Sequence, residues 1–166
     1  MHCDPDFELF IYGDPTAKRN YLLKLDKEDL LVFYAGLTPY QNNKQKEGLY
    51  IIGFLTVNAV IDFNKLSPIE TKKYCDLYPS YAHFRRSYTT DLVVVIGDRQ
   101  RSKLLNKAIS ISESGFDSIG RPCQIVSKKM ENLLGISGAI QRSIPPRFIK
   151  CEINISNLKE LLGITP

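Results

Sequence analysis

An arginine–asparagine pair, Arg19-Asn20, precedes an acidic turn and a strand that ends in Phe33-Tyr34. An asparagine amide offers a paired donor and acceptor, and a tyrosine offers a ring with one polar end. If the pair and the tyrosine face one cavity, they could hold a ligand there. The alternative is structural: Asn20 satisfies nearby backbone groups, Arg19 lies on the surface and Tyr34 packs in the core.

Basic side chains form three further candidate sites, each able to contact phosphate oxygens. One lies beside aromatic residues in His83-Phe84-Arg85-Arg86, one in the run 99–107, and one around Pro145-Pro146. The residues expected to contact phosphate are Arg85, Arg86, Arg99, Arg101, Lys103 and Arg142. Neighbouring residues on a helix diverge by about 100°, so adjacent basic residues there would not grip one phosphate together. An ordinary solvated surface is the alternative.

The charge of the chain is unevenly distributed. The net charge is +4, yet residues 1–30 hold four basic and seven acidic residues. Residues 99–150 hold ten basic residues against three acidic ones. A one-sided basic surplus suits a polyanion such as nucleic acid.

Motifs for catalysis and for cofactor binding are missing from the sequence. There is no P-loop, GxGxxG or GxSxG pattern, and the four cysteines form no CxxC. His2, Cys3, Asp4 and Asp6 offer ligand types without the spacing of a closed zinc site. We therefore expect no cofactor, no metal and no catalytic residue. A lone histidine such as His83 is usually structural, and an enzyme using His83 or a tyrosine as acid–base is the alternative.

Hydrophobic periodicity and capping signals predict the elements that must position these residues. Helices are predicted over 15–25, 68–77 and 128–134, with single helical turns at 101–106 and 157–162. Strands are predicted over 30–35, 49–61, 91–97, 107–112 and 148–155, with Gly53 as a bend and residues 113–122 as a loop. Only residues 7–12 are available for a strand before the first helix.

This pattern predicts an α+β fold. About five short strands with inserted helices do not alternate strictly, which favours a small, partly open mixed β-barrel with peripheral helices. The 166 residues are expected to form a single domain. No apolar run is long enough for a membrane helix and no signal peptide is evident, so a cytoplasmic protein is expected.

The order RN, LLKLDKEDLLVFY and GLYIIGFLTVNAVID resembles the core of EVE, ASCH and related PUA-like domains. Glu28-Asp29 stands where those domains commonly have Gly-Asp. The segments His2–Asp6 and Tyr81–Arg86 look most like one branch, the third nucleotide-modification-associated domain family.

The resemblance implies recognition of a nucleotide, often a flipped or modified base, in a pocket beside the barrel. The implied base-binding residues are Arg19, Asn20, Tyr34, Ala35 and Gly36. The implied partner is nucleic acid, RNA or DNA, or a modified nucleotide, bound without catalysis. A small enzyme acting on nucleotides is one alternative. An interaction domain that completes its sheet as a homodimer is the other, because the first strand is thinly provided for.

Overall fold

The computed structural model describes residues 5–40, 46–85, 90–141 and 145–164, and the elements below lie within them. The strands are β1 (Ile11–Asp14), β2 (Leu30–Leu37), β3 (Gly48–Asp62), β4 (Val93–Gly97), β5 (Lys103–Ser110), β6 (Ser112–Phe116) and β7 (Pro122–Val126). The helices are α1 (Arg19–Leu22), α2 (Pro68–Leu77), α3 (Lys128–Leu134) and α4 (Glu152–Leu162), with a 3-10 turn at Phe63–Lys65.

The main sheet has the order β1-β4-β3-β2, and β5 also pairs with β3. β4 is antiparallel to both β1 and β3, and β6 and β7 form a separate antiparallel pair. The curled main sheet is a half-barrel of four to five strands accompanied by four helices. The predicted α+β class and the partly open barrel are therefore confirmed.

Two compact units divide the chain. Unit 1 comprises residues 1–33 and 52–106, and unit 2 comprises residues 34–51 and 107–166. The single domain stays a prediction.

The core of unit 1 is built on both faces of β4. Val93 and Val95 pack with Leu22 of α1 and Val57 of β3, all of them buried. On the other face, Leu92 and Val94 pack with Ile11, Phe63 and Tyr81. The run of valines is thus a strand buried on both sides, as its continuous apolar character predicts.

Gly53 lies at a close contact of β3 with its surroundings, and its role as a bend stays a prediction. A Cβ at this position would lie 2.6 Å from the Lys103 carbonyl oxygen and 2.6 Å from the Phe7 ring. Further along β3, its register with β4 shifts between Val57 and Ala59. Gly53 therefore permits a close approach of backbone and ring.

Unit 2 holds the β6–β7 hairpin and the helices α3 and α4. Ser127 caps α3 by accepting the Met130 amide hydrogen, and Gly135 ends it with φ +67°. The side-chain amides of Asn154 and Asn157 both donate to the Leu133 carbonyl, at 2.9 and 3.1 Å. These bonds satisfy an end of α3 and attach α4 to it.

Four local predictions are wrong in whole or in part. The turn at 101–106 is strand from residue 103 onward and the loop at 113–122 is strand at 113–116 and 122, because pairing between backbones does not require the apolar pattern that sequence reading detects. The strand at 148–155 is wrong because the buried side chains Leu158 and Leu162 follow Ile155 at helical spacing. The helix at 15–25 is shortened to α1, since the flanking amides of Arg19 and Lys24 bond three residues back.

Other local predictions are confirmed. The Ser67 capping box opens α2, with Ser67 and Glu70 exchanging both bonds and Pro68 at the first position. Helix 128–134 is found with its predicted bounds. Within the described residues, no helix has the length and apolar character needed to span a membrane.

Candidate functional site

One end of the unit 1 sheet gathers polar side chains from two strands that flank β4. Asp14 of β1 and Asp62 of β3 both pair in register with Val93, which lies between them on β4. α1 follows directly from this end of β1. The sheet end therefore carries the predicted pair Arg19-Asn20 amid carboxylates.

Asp14 fixes the chain between β1 and α1. Its buried carboxylate accepts the Thr16 amide at 2.6 Å, the Thr16 hydroxyl, and the Tyr12 hydroxyl at 3.2 Å. A carboxylate with these donors is satisfied within the protein. Asp14 thus positions the helix that bears Arg19 and Asn20.

Arg19 is held by a network with Asp91 and Asn64. Its guanidinium donates to the Asp91 carboxylate, and the Asn64 amide nitrogen donates to the same carboxylate oxygen at 3.1 Å. The Asn64 side-chain oxygen accepts the Asp91 amide hydrogen at 3.0 Å. Asp91 has φ +65°, a conformation uncommon for residues other than glycine. Arg19 is therefore a positioned side chain.

Asn20 is exposed beside this network. Its backbone amide donates to the Ala17 carbonyl at 3.3 Å, so this bond does not involve the side chain. An exposed amide on a fixed helix can present its donor and acceptor to a ligand. The combination of Asn20 with Arg19, Asn64 and Asp91 is named the sheet-end site below.

Sequence reasoning missed Asn64 and Asp91. The register that pairs Asp62 with Val93 continues beyond the strands to bring residue 64 opposite residue 91. Correct pairing of the two strands would have found them. An isolated asparagine at 64 or aspartate at 91 forms no motif that the sequence alone would reveal.

Glu28 and Arg101 form a second polar group in unit 1. The Arg101 guanidinium donates with two nitrogens to the Glu28 carboxylate and also bonds Asp98, at 3.1 and 3.2 Å. The bond from Arg101 lowers the pKa of Glu28, and the same two carboxylates raise the pKa of Arg101. The pKa of Asp98 is lowered, first by the Gln100 amide and then by Arg101. Arg101 is already engaged by anions of its own chain.

Glu28 has φ +78°, while its amide donates to the Val57 carbonyl at 2.8 Å. The PUA-like domains that the chain resembles commonly have glycine at this position. Glycine adopts positive φ without strain, whereas glutamate does not. The departure from the pattern thus gives the turn a side chain that binds Arg101.

The turn that carries the predicted phosphate contacts is anchored to β3. The Thr56 hydroxyl donates to the Arg101 carbonyl at 2.7 Å, and the Thr56 amide donates to the buried Ser102 oxygen at 3.0 Å. Arg99 and Lys103 are exposed, one before and one after the anchored residues Arg101 and Ser102. Arg85 is exposed in the turn at 82–85, whereas Arg86 and Arg142 lie outside the described residues.

The predicted pocket floor, Tyr34, Ala35 and Gly36, belongs to unit 2. The Tyr34 hydroxyl donates to the Gln141 carbonyl at 3.1 Å. Burial raises the pKa of Tyr34, opposed by the nearby Arg147 guanidinium. Tyr34 and Ala35 are partly buried and Gly36 is exposed. Their sharing of one pocket with Arg19 and Asn20 stays a prediction.

His83 lies in the aromatic cluster of unit 1. It is 6% exposed, and its ring centre lies 5.5 Å from that of Tyr81. The described part of the chain contains no group of three potential metal ligands, and His2, Cys3 and Asp4 lie outside it. His83 is therefore buried beside Tyr81, and its alternative role as an acid–base group stays a prediction.

Comparisons with known proteins agree with the resemblance seen in the sequence. The family model described as nucleotide modification associated domain 3 matches residues 1–130. The match spans both segments of unit 1, and with them the whole sheet-end site. No curated protein and no solved structure matches the chain.

Proposed function

We propose that this chain, which belongs to the nucleotide modification associated domain 3 family, recognises one base of a nucleic acid, modified or extruded, without transforming it. The family's description connects the chain with nucleic acid or nucleotide modification. Base recognition and the absence of catalysis are our inference from the arrangement of side chains.

The observation that carries the proposal is the sheet-end site. Exposed Asn20 stands on α1, which follows the segment that Asp14 bonds at Thr16 and which carries Arg19, bonded to Asp91 and through it to Asn64. A base edge is read by a few donors and acceptors whose positions are fixed before binding. The arrangement supplies such groups at the surface.

Phosphate contacts are proposed for the exposed cations Arg85, Arg99 and Lys103. Arg101 takes a different role, because its guanidinium is bound by Glu28 and Asp98. We propose that Arg101 positions the turn that presents Arg99. Arg86 and Arg142 keep their predicted phosphate-binding role. Tyr34, Ala35 and Gly36 keep their predicted base-binding role.

Binding of labelled oligonucleotides, measured by fluorescence polarisation, tests the proposal. The oligonucleotides are RNA and DNA, each with and without one modified base. Each phosphate neutralised by Arg85, Arg99 or Lys103 steepens the fall of affinity with salt by about 0.7–0.9 in logarithmic slope. Affinity that does not change with salt, or no binding to any oligonucleotide, contradicts the proposal.

The matched variants are Asn20→Ala and Asn132→Ala, since both residues are exposed asparagines on helices. Loss of a base-reading amide is expected to reduce the preference for one base by about 1–3 kcal/mol. Asn20→Ala should lose this preference while the salt dependence stays unchanged. Asn132→Ala should behave as the unaltered chain, and equal preference in all three proteins removes Asn20 from the site.

A further inference from the structure

Asp91 is the anchored carboxylate of the sheet-end site. Its Oδ1 atom accepts a hydrogen bond from the Arg19 guanidinium and another from the Asn64 side-chain amide, the latter at 3.1 Å. Its backbone amide donates to the Asn64 side-chain oxygen at 3.0 Å. All three residues belong to unit 1. The carboxylate is therefore held through both its side chain and its backbone before any ligand binds.

The second carboxylate oxygen of Asp91, Oδ2, is available to a ligand. Among the described residues, both bonds to this carboxylate end on Oδ1 and none ends on Oδ2. The Asp91 side chain is 65% exposed, whereas that of Arg19 is 24% exposed. An ionised carboxylate accepts hydrogen bonds and donates none. Oδ2 thus requires a ligand group that donates.

The backbone conformation of Asp91 supports a role in binding. Its φ of +65° is uncommon for residues other than glycine, and such conformations cluster at ligand-binding and active sites. Aspartate and asparagine adopt it more readily than other side chains do. The conformation is maintained here by the two bonds to Asn64.

An acceptor of this kind distinguishes between the bases of nucleic acid. Adenine, cytosine and guanine each carry an exocyclic amino group that projects from the ring, and carboxylates accept from such groups, as they do from N4 of cytosine. Uracil and thymine offer only one imino hydrogen between two carbonyl oxygens, which a carboxylate repels. The free oxygen of Asp91 therefore favours a base that bears an amino group.

We propose that Asp91 reads the exocyclic amino group of the bound base through Oδ2, and that Arg19 and Asn64 are the residues that position it. The ligand class is then an amino-bearing base, with uracil and thymine disfavoured. This inference rests on the proposed function, because it names the group that the recognised base must carry.

The test measures binding to single-stranded oligonucleotides that differ at one base, by fluorescence polarisation. Three pairs differ only in the amino group: adenine and purine, guanine and hypoxanthine, cytosine and pyrimidin-2-one. We expect the base that the chain prefers to bind roughly tenfold more tightly than its amino-free partner, since a hydrogen bond to a charged group is lost. This comparison uses the unaltered chain and needs no variant.

Asp91→Asn keeps the shape of the side chain and tolerates the positive φ. Because Arg19 and Asn64 both donate, the amide oxygen should take the place of Oδ1 and the NH₂ group the place of Oδ2. A donor then faces the amino group of the base. The tenfold preference should disappear or turn toward the amino-free partner.

Asp26→Asn is the matched control, since Asp26 is an exposed aspartate of unit 1. Both variants remove one negative charge, so a general gain in affinity for nucleic acid is common to both. Asp26→Asn should keep the tenfold preference for the amino group. Circular dichroism of the three proteins verifies that each is folded.

The outcomes separate the role of Asp91 from the proposed function. If the chain discriminates between bases but no amino-free partner binds more weakly than its amino-bearing base, the reading of an amino group is refuted and base recognition stands. If folded Asp91→Asn keeps the preference, another residue reads the amino group and the inference is wrong. If no oligonucleotide binds, or all bases bind alike, both proposals fail.

Discussion

Replacing Gly53 by alanine tests the close packing at the centre of β3. The new Cβ would lie 2.6 Å from the Lys103 carbonyl oxygen and 2.6 Å from the Phe7 ring. The ring can rotate away, but the carbonyl is part of the neighbouring strand β5, which pairs with β3. Overpacking of a buried position costs about 1–3 kcal/mol, and a contact with backbone belongs to the upper part of that range. We expect a loss of about 2–3 kcal/mol in the free energy of unfolding.

Urea and thermal unfolding, followed by circular dichroism, measure this loss. For a chain of this length it corresponds to a fall of roughly 4–12 °C in Tm. Gly36→Ala is the control, because a Cβ there meets only Leu49, at an ordinary 3.8 Å. Gly53→Ala should remain destabilising in a Phe7→Leu background, since the carbonyl is unchanged. A loss below about 0.5 kcal/mol refutes the reasoning, since changes of that size accompany ordinary surface substitutions.

Ser102→Ala leaves the buried Thr56 amide without its acceptor and should cost about 1–3 kcal/mol in urea unfolding, while the exposed Ser114→Ala should cost little. Glu28→Gly should melt at a higher temperature than Glu28→Ala, because both remove the bond to Arg101 but only glycine suits φ +78°; equal melting temperatures contradict this. The raised pKa of Tyr34 means that folding disfavours the phenolate, so stability present below pH 10 is lost as pH rises through the folded pKa. Relative to Tyr34→Phe, the unaltered chain should therefore become less stable above about pH 10, and parallel stability curves would contradict the burial of this hydroxyl.

Elements with a local chemical signal were predictable from the sequence. Ser67-Pro68 and Glu70 define the start of α2 by themselves, and Gly135 defines the end of α3. The β6–β7 hairpin lacked such a signal, because its strands hold serines and Gly115, where a Cβ would lie 2.5 Å from Ile125. Strand formation there depends on a partner segment, which a local window does not contain.

The candidate site was predictable only in its local half. The pair Arg19-Asn20 could be found because it stands beside recognisable capping and strand signals. Its partners Asn64 and Asp91 are brought together by antiparallel pairing between distant segments. Predicting them required the register of β3 against β4, and the irregularity between Val57 and Ala59 shifts that register.

The distribution of charge separates base recognition from phosphate binding. Arg19 is bound by Asp91, and Asp14 and Asp62 flank the same sheet end, so the surroundings of Asn20 disfavour a phosphate. Carboxylates and amides instead suit the amino and imino hydrogens of a base edge. Phosphate contacts are proposed instead for the exposed cations Arg85, Arg99 and Lys103. Replacing these cations should therefore weaken binding to all sequences alike and reduce the salt dependence. Substitution of Asn20 should change the preferred base and leave the salt dependence intact.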